Sequence, residues 1–200
     1  MNDSNTLNKQ GEIHIPDPPF AHKLFSTTRF AWLWLLIRLY PGYEFLSAGW
    51  GKINNPAWRS GVALQGYWQN AVAIPASGRP VIAFGWYRDF INFMLQNQWY
   101  TWFSKVIMFG EFIVGIALIL GAFVGIAAFF GGFMNWNYIM AGSASTNGLL
   151  FTAAILLILA WKVAGFYGLD RWLLPALGTP WARPAKREEG MDTGGMQPQH

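Results

Sequence analysis

Residues 112–161, FIVGIALILGAFVGIAAFFGGFMNWNYIMAGSASTNGLLFTAAILLILAW, form a run of fifty residues that contains no Asp, Glu, Lys or Arg. A single helix needs ~20 apolar residues to cross the ~30 Å hydrocarbon core of a bilayer. One buried element of a soluble core needs far fewer than fifty such residues. The run therefore predicts two consecutive passes through a membrane.

The composition of the whole chain agrees with a membrane protein. Of its 200 residues, 53% are hydrophobic and only 12% are charged, whereas about a quarter of the residues are charged in a soluble domain. These values exclude a secreted domain, a disordered chain and a cytosolic enzyme. The net charge of +4 is spread over the tails and one long loop. This distribution favours contact with the anionic headgroups of a lipid bilayer and predicts no nucleic-acid partner.

Four segments of suitable length predict transmembrane helices, at about residues 30–50, 101–121, 124–141 and 149–168. The second and third are separated by so short a connection that they must form an antiparallel hairpin. Small residues recur along the third helix at steps of three and four, and this stripe ends at Asn135, which favours close packing between helices. The predicted fold class is therefore all-α: a polytopic membrane protein built as a four-transmembrane-helix bundle.

The distribution of basic residues predicts the orientation of the bundle. Seven Lys or Arg residues lie in the N-terminal tail and in the segment after the fourth helix, against three in the loop 53–100. Because cytoplasmic segments are enriched in these residues, both termini are expected to be cytoplasmic and the loop 51–100 to lie outside. The aromatic residues of this loop predict interfacial amphipathic segments in the headgroup layer, with Ile82, Trp86, Phe90 and Phe93 at helical spacing.

The sequence divides into three parts. Residues 1–29 form a polar cytoplasmic tail in which several prolines are expected to prevent regular structure. Residues 30–182 form the membrane domain, and residues 183–200 form a second cytoplasmic tail that is expected to be disordered. No cleaved signal peptide and no lipid anchor are predicted.

The absence of cysteine from the chain, and of histidine from the predicted helices, limits the redox and metal chemistry that the protein can perform. The chain has no cysteine, which excludes thiol redox couples and predicts no iron–sulfur cluster. Its three histidines, His14, His22 and His200, all lie in the tails, so no haem and no other metal is expected within the membrane. Electrons that pass through this protein would have to travel on a diffusible organic carrier or on the cofactor of a partner.

Charged residues in the predicted helices are candidate site residues, because a charge at membrane depth is costly and is usually functional. Arg38 and Glu44 lie in the first helix, Glu111 at the centre of the second and Lys162 in the fourth. We expect Arg38 to face Glu111, with Glu44 or Lys52 bordering the same cavity. Two interpretations remain open, a buried ion pair that fixes helix register and a ligand or proton site, with a coupled transporter as a distant third.

Four motifs in fixed order resemble one family. They are Arg38-x-x-x-Gly42-x-x-Phe45-x-x-x-Gly49-x-x-Lys52, Gly110-Glu111-x-x-x-Gly115-x-x-Leu118-x-x-Gly121, Met134-Asn135 followed by AGSASTN at 141–147, and GLDRWLLP at 168–175. The set resembles the DoxX family of small bacterial membrane proteins over roughly residues 30–182. The resemblance implies a four-helix fold in the bacterial plasma (inner) membrane. It also implies kinship with the membrane subunit of thiosulfate:quinone oxidoreductase.

This kinship makes quinone the expected cofactor and other protein subunits the expected partners. In a quinone-linked oxidoreductase complex, Glu111 would exchange the proton that accompanies quinone reduction, and Arg38 or Lys52 would hydrogen-bond a quinone carbonyl. Trp50 would pack on the ring. Glu44 and Asn135 complete the expected quinone-binding set. The alternative function is a non-catalytic membrane scaffold or assembly subunit of a respiratory or stress-related complex.

Overall fold

A computed structural model describes residues 17–178, and within that range the regular secondary structure is entirely helical. The helices are α1 (Pro19–Ser26), α2 (Ala31–Asn54), α3 (Pro56–Ser60), α4 (Val62–Val72), α5 (Gly85–Gln96), α6 (Tyr100–Leu120), α7 (Val124–Met140), α8 (Asn147–Leu159), α9 (Trp161–Ala164) and α10 (Asp170–Ala176). A single 3₁₀ turn, Thr28–Phe30, joins α1 to α2. The sequence-based predictions for residues 1–16 and for the tail 183–200 lie outside the described residues.

Helices α2 and α6 pack so closely that glycine is required on both. A methyl group added at Gly49 would collide with the backbone of Phe112, and one added at Gly115 would collide with the backbone of Leu46. Close approach of small residues is a common way for helices to pack in a membrane protein. These two glycines therefore fix the packing register of α2 against α6. This register decides which side chains of the two helices meet.

Helices α7 and α8 form a second closely packed pair. Along α7, Ala128 and Asn135 are each 1% exposed, and a methyl group at Gly132 would stand 3.2 Å from the Cβ of Ala154 on α8. The stripe of small residues seen in the sequence thus faces α8. The two pairs share one apolar core, which includes Trp34, Phe45, Val114, Leu118, Val124 and Leu157.

The fourth long helix is shorter than the sequence predicts. We expected one helix over 149–168, but α8 ends at Leu159 and only the short α9 follows before the chain turns. A Cβ at Gly165 would collide with the side chain of Asp170, and one at Gly168 with the backbone of Gly121. The glycines let the chain fold back against the α6–α7 turn, where the N–H of Asp170 donates to the carbonyl of Gly121 at 2.8 Å.

The N-terminal tail also differs from its prediction, because residues 19–26 form a helix. Proline is well tolerated at the first position of a helix, where its missing N–H would have no partner, and Pro19 starts α1 in this way. Leu24 and Phe25 pack against the core, and the indole N–H of Trp34 donates to the carbonyl of Leu24 at 2.9 Å. The prolines at positions 18 and 19 therefore do not prevent a helix over Pro19–Ser26.

The segment expected to be an outer loop folds into three helices, α3 to α5, which we call the cap. Its interior is an apolar cluster that includes Leu64, Trp68, Tyr87, Ile91 and Met94. The cap is tied to α7 by the Tyr87 hydroxyl, which donates to Asn137 Oδ1 at 3.1 Å, and burial raises the pKa of Tyr87 to about 12.

The exposed aromatic face of the cap includes three of the four residues singled out from the spacing. Trp86, Phe90 and Phe93 are exposed on α5. Ile82 differs, because it precedes α5 and is completely buried in the cap cluster. Helix α5 is therefore apolar on two faces, one of which packs inside the protein and one of which is uncovered.

One helix in residues 17–178 combines the length and the apolar composition expected of a membrane span. This is α6, which has 21 residues and reaches a mean hydropathy of 2.1 over an 18-residue window. Helix α8 is apolar but short, at 13 residues.

Candidate functional site

A cavity of about 300 Å³ lies between the two helix pairs, beneath the cap. Helix α2 lines it with Glu44, Phe45, Ala48 and Lys52, and α6 contributes Glu111. Asn135 and Tyr138 of α7, Trp58 of α3, Tyr67 of α4 and Leu150 of α8 complete most of the wall. Its size is at the lower end of the range for small-molecule sites. The cavity therefore combines apolar walls with a few polar groups.

Three polar side chains of the cavity form a cluster in which a lysine is paired with a glutamate. Lys52 Nζ lies 2.5 Å from Glu111 Oε2, and the Tyr138 hydroxyl donates to Glu111 Oε1 at 2.7 Å. The side chain of Glu111 is 3% exposed and that of Lys52 is 18% exposed. The ammonium also lies 5.0 Å from the centre of the Trp58 ring, in cation–π geometry. Both carboxylate oxygens of Glu111 are thus occupied by donors from the protein.

Two other polar groups of the cavity have no such partners. Asn135 is 1% exposed, and its Nδ2 donates no hydrogen bond within the described part of the chain. Glu44 is half-buried and takes part in no hydrogen bond or ion pair among residues 17–178. A buried amide without a partner costs ~1–3 kcal/mol. A polar ligand in the cavity would remove that cost.

The rim of the cavity on the side of the cap is also polar. Ser143, Thr146 and Asn147 line it, and the Asn147 amide donates to the carbonyl of Ser143 at 2.8 Å. Burial raises the pKa of the Tyr67 phenol, whose hydroxyl has no hydrogen-bond partner within the described part of the chain. The cavity is thus bordered by hydroxyl and amide groups where it meets the loop 141–146.

Comparison with known proteins identifies the family. A family model described as DoxX matches residues 33–144 of the chain. The chain belongs to the DoxX family. It is therefore a membrane protein, in agreement with its composition. The search of curated proteins and the search of solved structures gave no match. The matched residues include every cavity residue from Glu44 to Ser143.

In this DoxX family member, the expected pairing of Arg38 with Glu111 is wrong. Arg38 is 1% exposed and binds backbone carbonyls at the opposite end of α6. Its Nη1 donates to Leu118 at 2.7 Å and to Ile119 at 3.2 Å, and its Nη2 donates to Tyr167 at 2.7 Å. Arg38 therefore caps the C-terminus of α6 and holds the chain after α9 against it. Arg38 does not line the cavity. Lys52 occupies the position beside Glu111 that was expected for Arg38.

Trp50 is also outside the cavity. It is 58% exposed, and its ring lies against Phe112 with a centroid distance of 6.0 Å. The aromatic side chain that does border the charged cluster is Trp58, from the cap. Of the six expected site residues, the structure brings four together in the cavity: Glu44, Lys52, Glu111 and Asn135.

Sequence reasoning missed Tyr138, Tyr67 and Trp58 as site residues. Tyr138 follows Asn135 by one helical step of three, so it lies on the same face of α7, and this spacing was a usable signal. Tyr67 and Trp58 carried no comparable signal, because only the folding of the cap brings them over the ends of the long helices.

Proposed function

We propose that this protein is the integral membrane subunit of a quinone-linked oxidoreductase complex and that its cavity binds a quinone headgroup. The observation that carries the proposal is the pair of unpartnered polar groups, Asn135 Nδ2 and the Glu44 carboxyl, beside the Lys52–Glu111 pair. A buried site with unused hydrogen-bonding capacity is complementary to a neutral polar ligand.

The chemistry of the cavity wall fits a quinone. The ring of a quinone is flat and apolar and carries two carbonyl acceptors on opposite edges. Asn135 and Lys52 supply N–H donors for such acceptors, and the apolar walls at Phe45, Trp58 and Leu150 supply packing surface. Electrons are supplied by another subunit, because this chain has no cysteine and residues 17–178 hold no cluster of metal-ligating side chains.

The proposed arrangement in the bacterial inner membrane has four crossings, formed by α2, α6, α7 and α8 together with α9. Large apolar side chains are exposed on all four crossing segments, which favours contact with lipid over contact with water. They include Leu36 and Tyr43 on α2, Ile113 on α6, Phe130 and Phe133 on α7, and Ile155 on α8. Both termini are cytoplasmic in this arrangement, and the cap lies at the outer surface.

The proposal is tested by what the protein retains on purification. After extraction in a mild detergent, solvent extraction and chromatography should detect quinone in near-stoichiometric amount in the wild type. Asn135→Leu removes the unpartnered donor and should lower the retained quinone several-fold. Asn97→Leu is the matched control, because Asn97 is an exposed amide outside the cavity, and it should retain as much quinone as the wild type. A wild-type protein that retains other subunits but no quinone would contradict the proposal and favour the scaffold.

A further inference from the structure

We infer that Glu44, and not Glu111, is the carboxyl group that exchanges a proton with the ligand in the cavity. Glu111 is then a positioning residue that holds Lys52. This inference rests on the proposed quinone function and assigns the roles within its site. It reverses the roles expected from the sequence, in which Glu111 was the proton-exchanging group.

The contacts of Glu111 leave it little capacity to exchange a proton. One of its oxygens accepts from Lys52 at 2.5 Å and the other from the Tyr138 hydroxyl at 2.7 Å. Protonating this carboxylate would break the ion pair and leave the Lys52 ammonium without a counter-charge in a largely buried position. Loss of one partner of a buried pair is strongly unfavourable. Glu111 is therefore held by two contacts that a proton exchange would disrupt.

Glu44 lies in the same cavity without these constraints. It makes no hydrogen bond or ion pair with any described residue, so its proton can be gained or lost without breaking a contact. Glu44 and Lys52 are eight residues apart on α2, or ~12 Å along the helix axis. The other titratable groups on the cavity wall are Glu111, Tyr138 and Tyr67. Glu111 and Lys52 neutralise each other, and neither tyrosine provides a cation for Glu44.

Reduction of a bound quinone to the quinol requires two electrons and two protons. The ring takes up two electrons from a reduced electron-donor subunit, and its two carbonyl oxygens take up two protons to give the quinol. One O–H bond forms as the Glu44 carboxyl loses its proton, and the other proton comes from water. The Glu44 carboxylate then accepts a hydrogen bond from the new hydroxyl until water re-protonates it. Asn135 donates to a ligand oxygen throughout and changes no charge.

Infrared difference spectroscopy can assign the proton to one carboxyl. The full-length protein, loaded with a short-chain ubiquinone, is reduced electrochemically while the carboxylic-acid C=O band is recorded. In the wild type a negative band should show loss of the acid form. Glu44→Gln should still bind the ubiquinone, since an amide can also donate to a carbonyl, but should lose the band. Glu44→Asp should retain the band at a shifted frequency.

A double variant tests the positioning role of Glu111 without leaving a lone buried charge. Glu111→Gln with Lys52→Met removes both charges together. Loss of the Lys52 donor should weaken ubiquinone binding, so the spectrum is recorded at a saturating concentration and scaled to the ubiquinone bound, and the negative band should then be retained. Loss of the band from the ubiquinone-bound double variant, or its persistence in Glu44→Gln, would overturn the inference. Failure of the wild type to bind the ubiquinone would instead overturn the proposed function itself, so the two failures are distinguishable.

Discussion

Lys52 and Glu111 depend on each other, because each would be an uncompensated charge in a protein interior without its partner. Their contact is short, at 2.5 Å, and the carboxylate is 3% exposed. Such pairs contribute little net stability compared with an apolar replacement, but the loss of one partner is costly. The pair therefore makes a prediction at the scale of single residues.

Lys52→Met should lower the free energy of unfolding by about 3–5 kcal/mol, because it leaves the Glu111 carboxylate without its counter-charge. Adding Glu111→Leu to it should recover most of that loss. Lys105→Met is a suitable control, since Lys105 is exposed on the same helix as Glu111. Unfolding in detergent, followed by circular dichroism, gives the three values. If the double variant is as unstable as Lys52→Met alone, the two side chains are not coupled.

Arg38 should matter for stability and not for the ligand. Its planar guanidinium reaches three carbonyls, including those of Leu118 and Tyr167, and a lysine cannot reproduce that geometry. Arg38→Lys should therefore cost about 2 kcal/mol of stability while quinone retention stays at the wild-type level. Arg29→Lys, at an exposed position, should change neither. Loss of quinone from a folded Arg38→Lys protein would show that Arg38 contributes to quinone binding.

The sequence predicted the charged residues that lie in the site, but it did not predict which basic residue pairs with Glu111. Arg38 and Lys52 lie on the same face of α2, fourteen residues or ~21 Å apart along its axis, so either could meet Glu111 in principle. The packing register of two antiparallel helices decides between them. That register follows from the close contacts at Gly49 and Gly115. On α2, Lys52 lies three residues after Gly49, and on α6, Glu111 lies four residues before Gly115. Both side chains therefore lie on the side of this contact that is nearer to the cap.

At the scale of helices, the contact between α2 and α6 is the element that builds the site. Gly49→Ala should separate the two helices and destabilise the protein by about 1–3 kcal/mol, because the added methyl group meets the backbone of Phe112. Gly51→Ala on the same helix has open space around it and should be neutral or stabilising by up to about 1 kcal/mol. Thermal melts of the two variants make the comparison. Identical melting temperatures would show that the two helices do not meet at Gly49.

Helix boundaries were predictable from hydropathy where a long apolar helix ends at a polar or glycine-rich turn. Helix α6 covers Tyr100–Leu120, against 101–121 expected from the sequence. The end of α8 was not predictable in the same way, since residues 149–168 remain apolar through the point where the helix stops. After α9 the chain turns back, and Gly168 packs there against the backbone of Gly121, a contact that hydropathy does not reveal.

At the scale of the whole molecule, the protein presents two different surfaces. Large apolar side chains are exposed along the long helices, and aromatic side chains are exposed on α5 of the cap. The first kind of surface suits the acyl chains of lipids and the second suits the headgroup layer, where Trp is enriched. The proposed topology therefore places the cap at the outer membrane–water interface.

Reporter fusions test this topology. Ser77 is exposed between α4 and α5. A reporter enzyme that is active only after export should be active when inserted there, and one that is active only in the cytoplasm should be inactive. The opposite result is expected for the two reporters when they are fused after Arg187. The opposite pattern at both sites would invert the topology and place the cap inside.

The central claim, that the cavity beneath the cap holds a quinone headgroup, is tested most directly by photo-crosslinking. A quinone analogue carrying a photoreactive azide on its ring is added to the protein in lipid nanodiscs, illuminated, and located by peptide mass spectrometry. The account predicts labels on cavity residues such as Tyr138, Trp58 and Leu150, and competition by unlabelled quinone. Labels confined to exposed residues outside the cavity, such as Phe130 and Ile113, without competition, would contradict it.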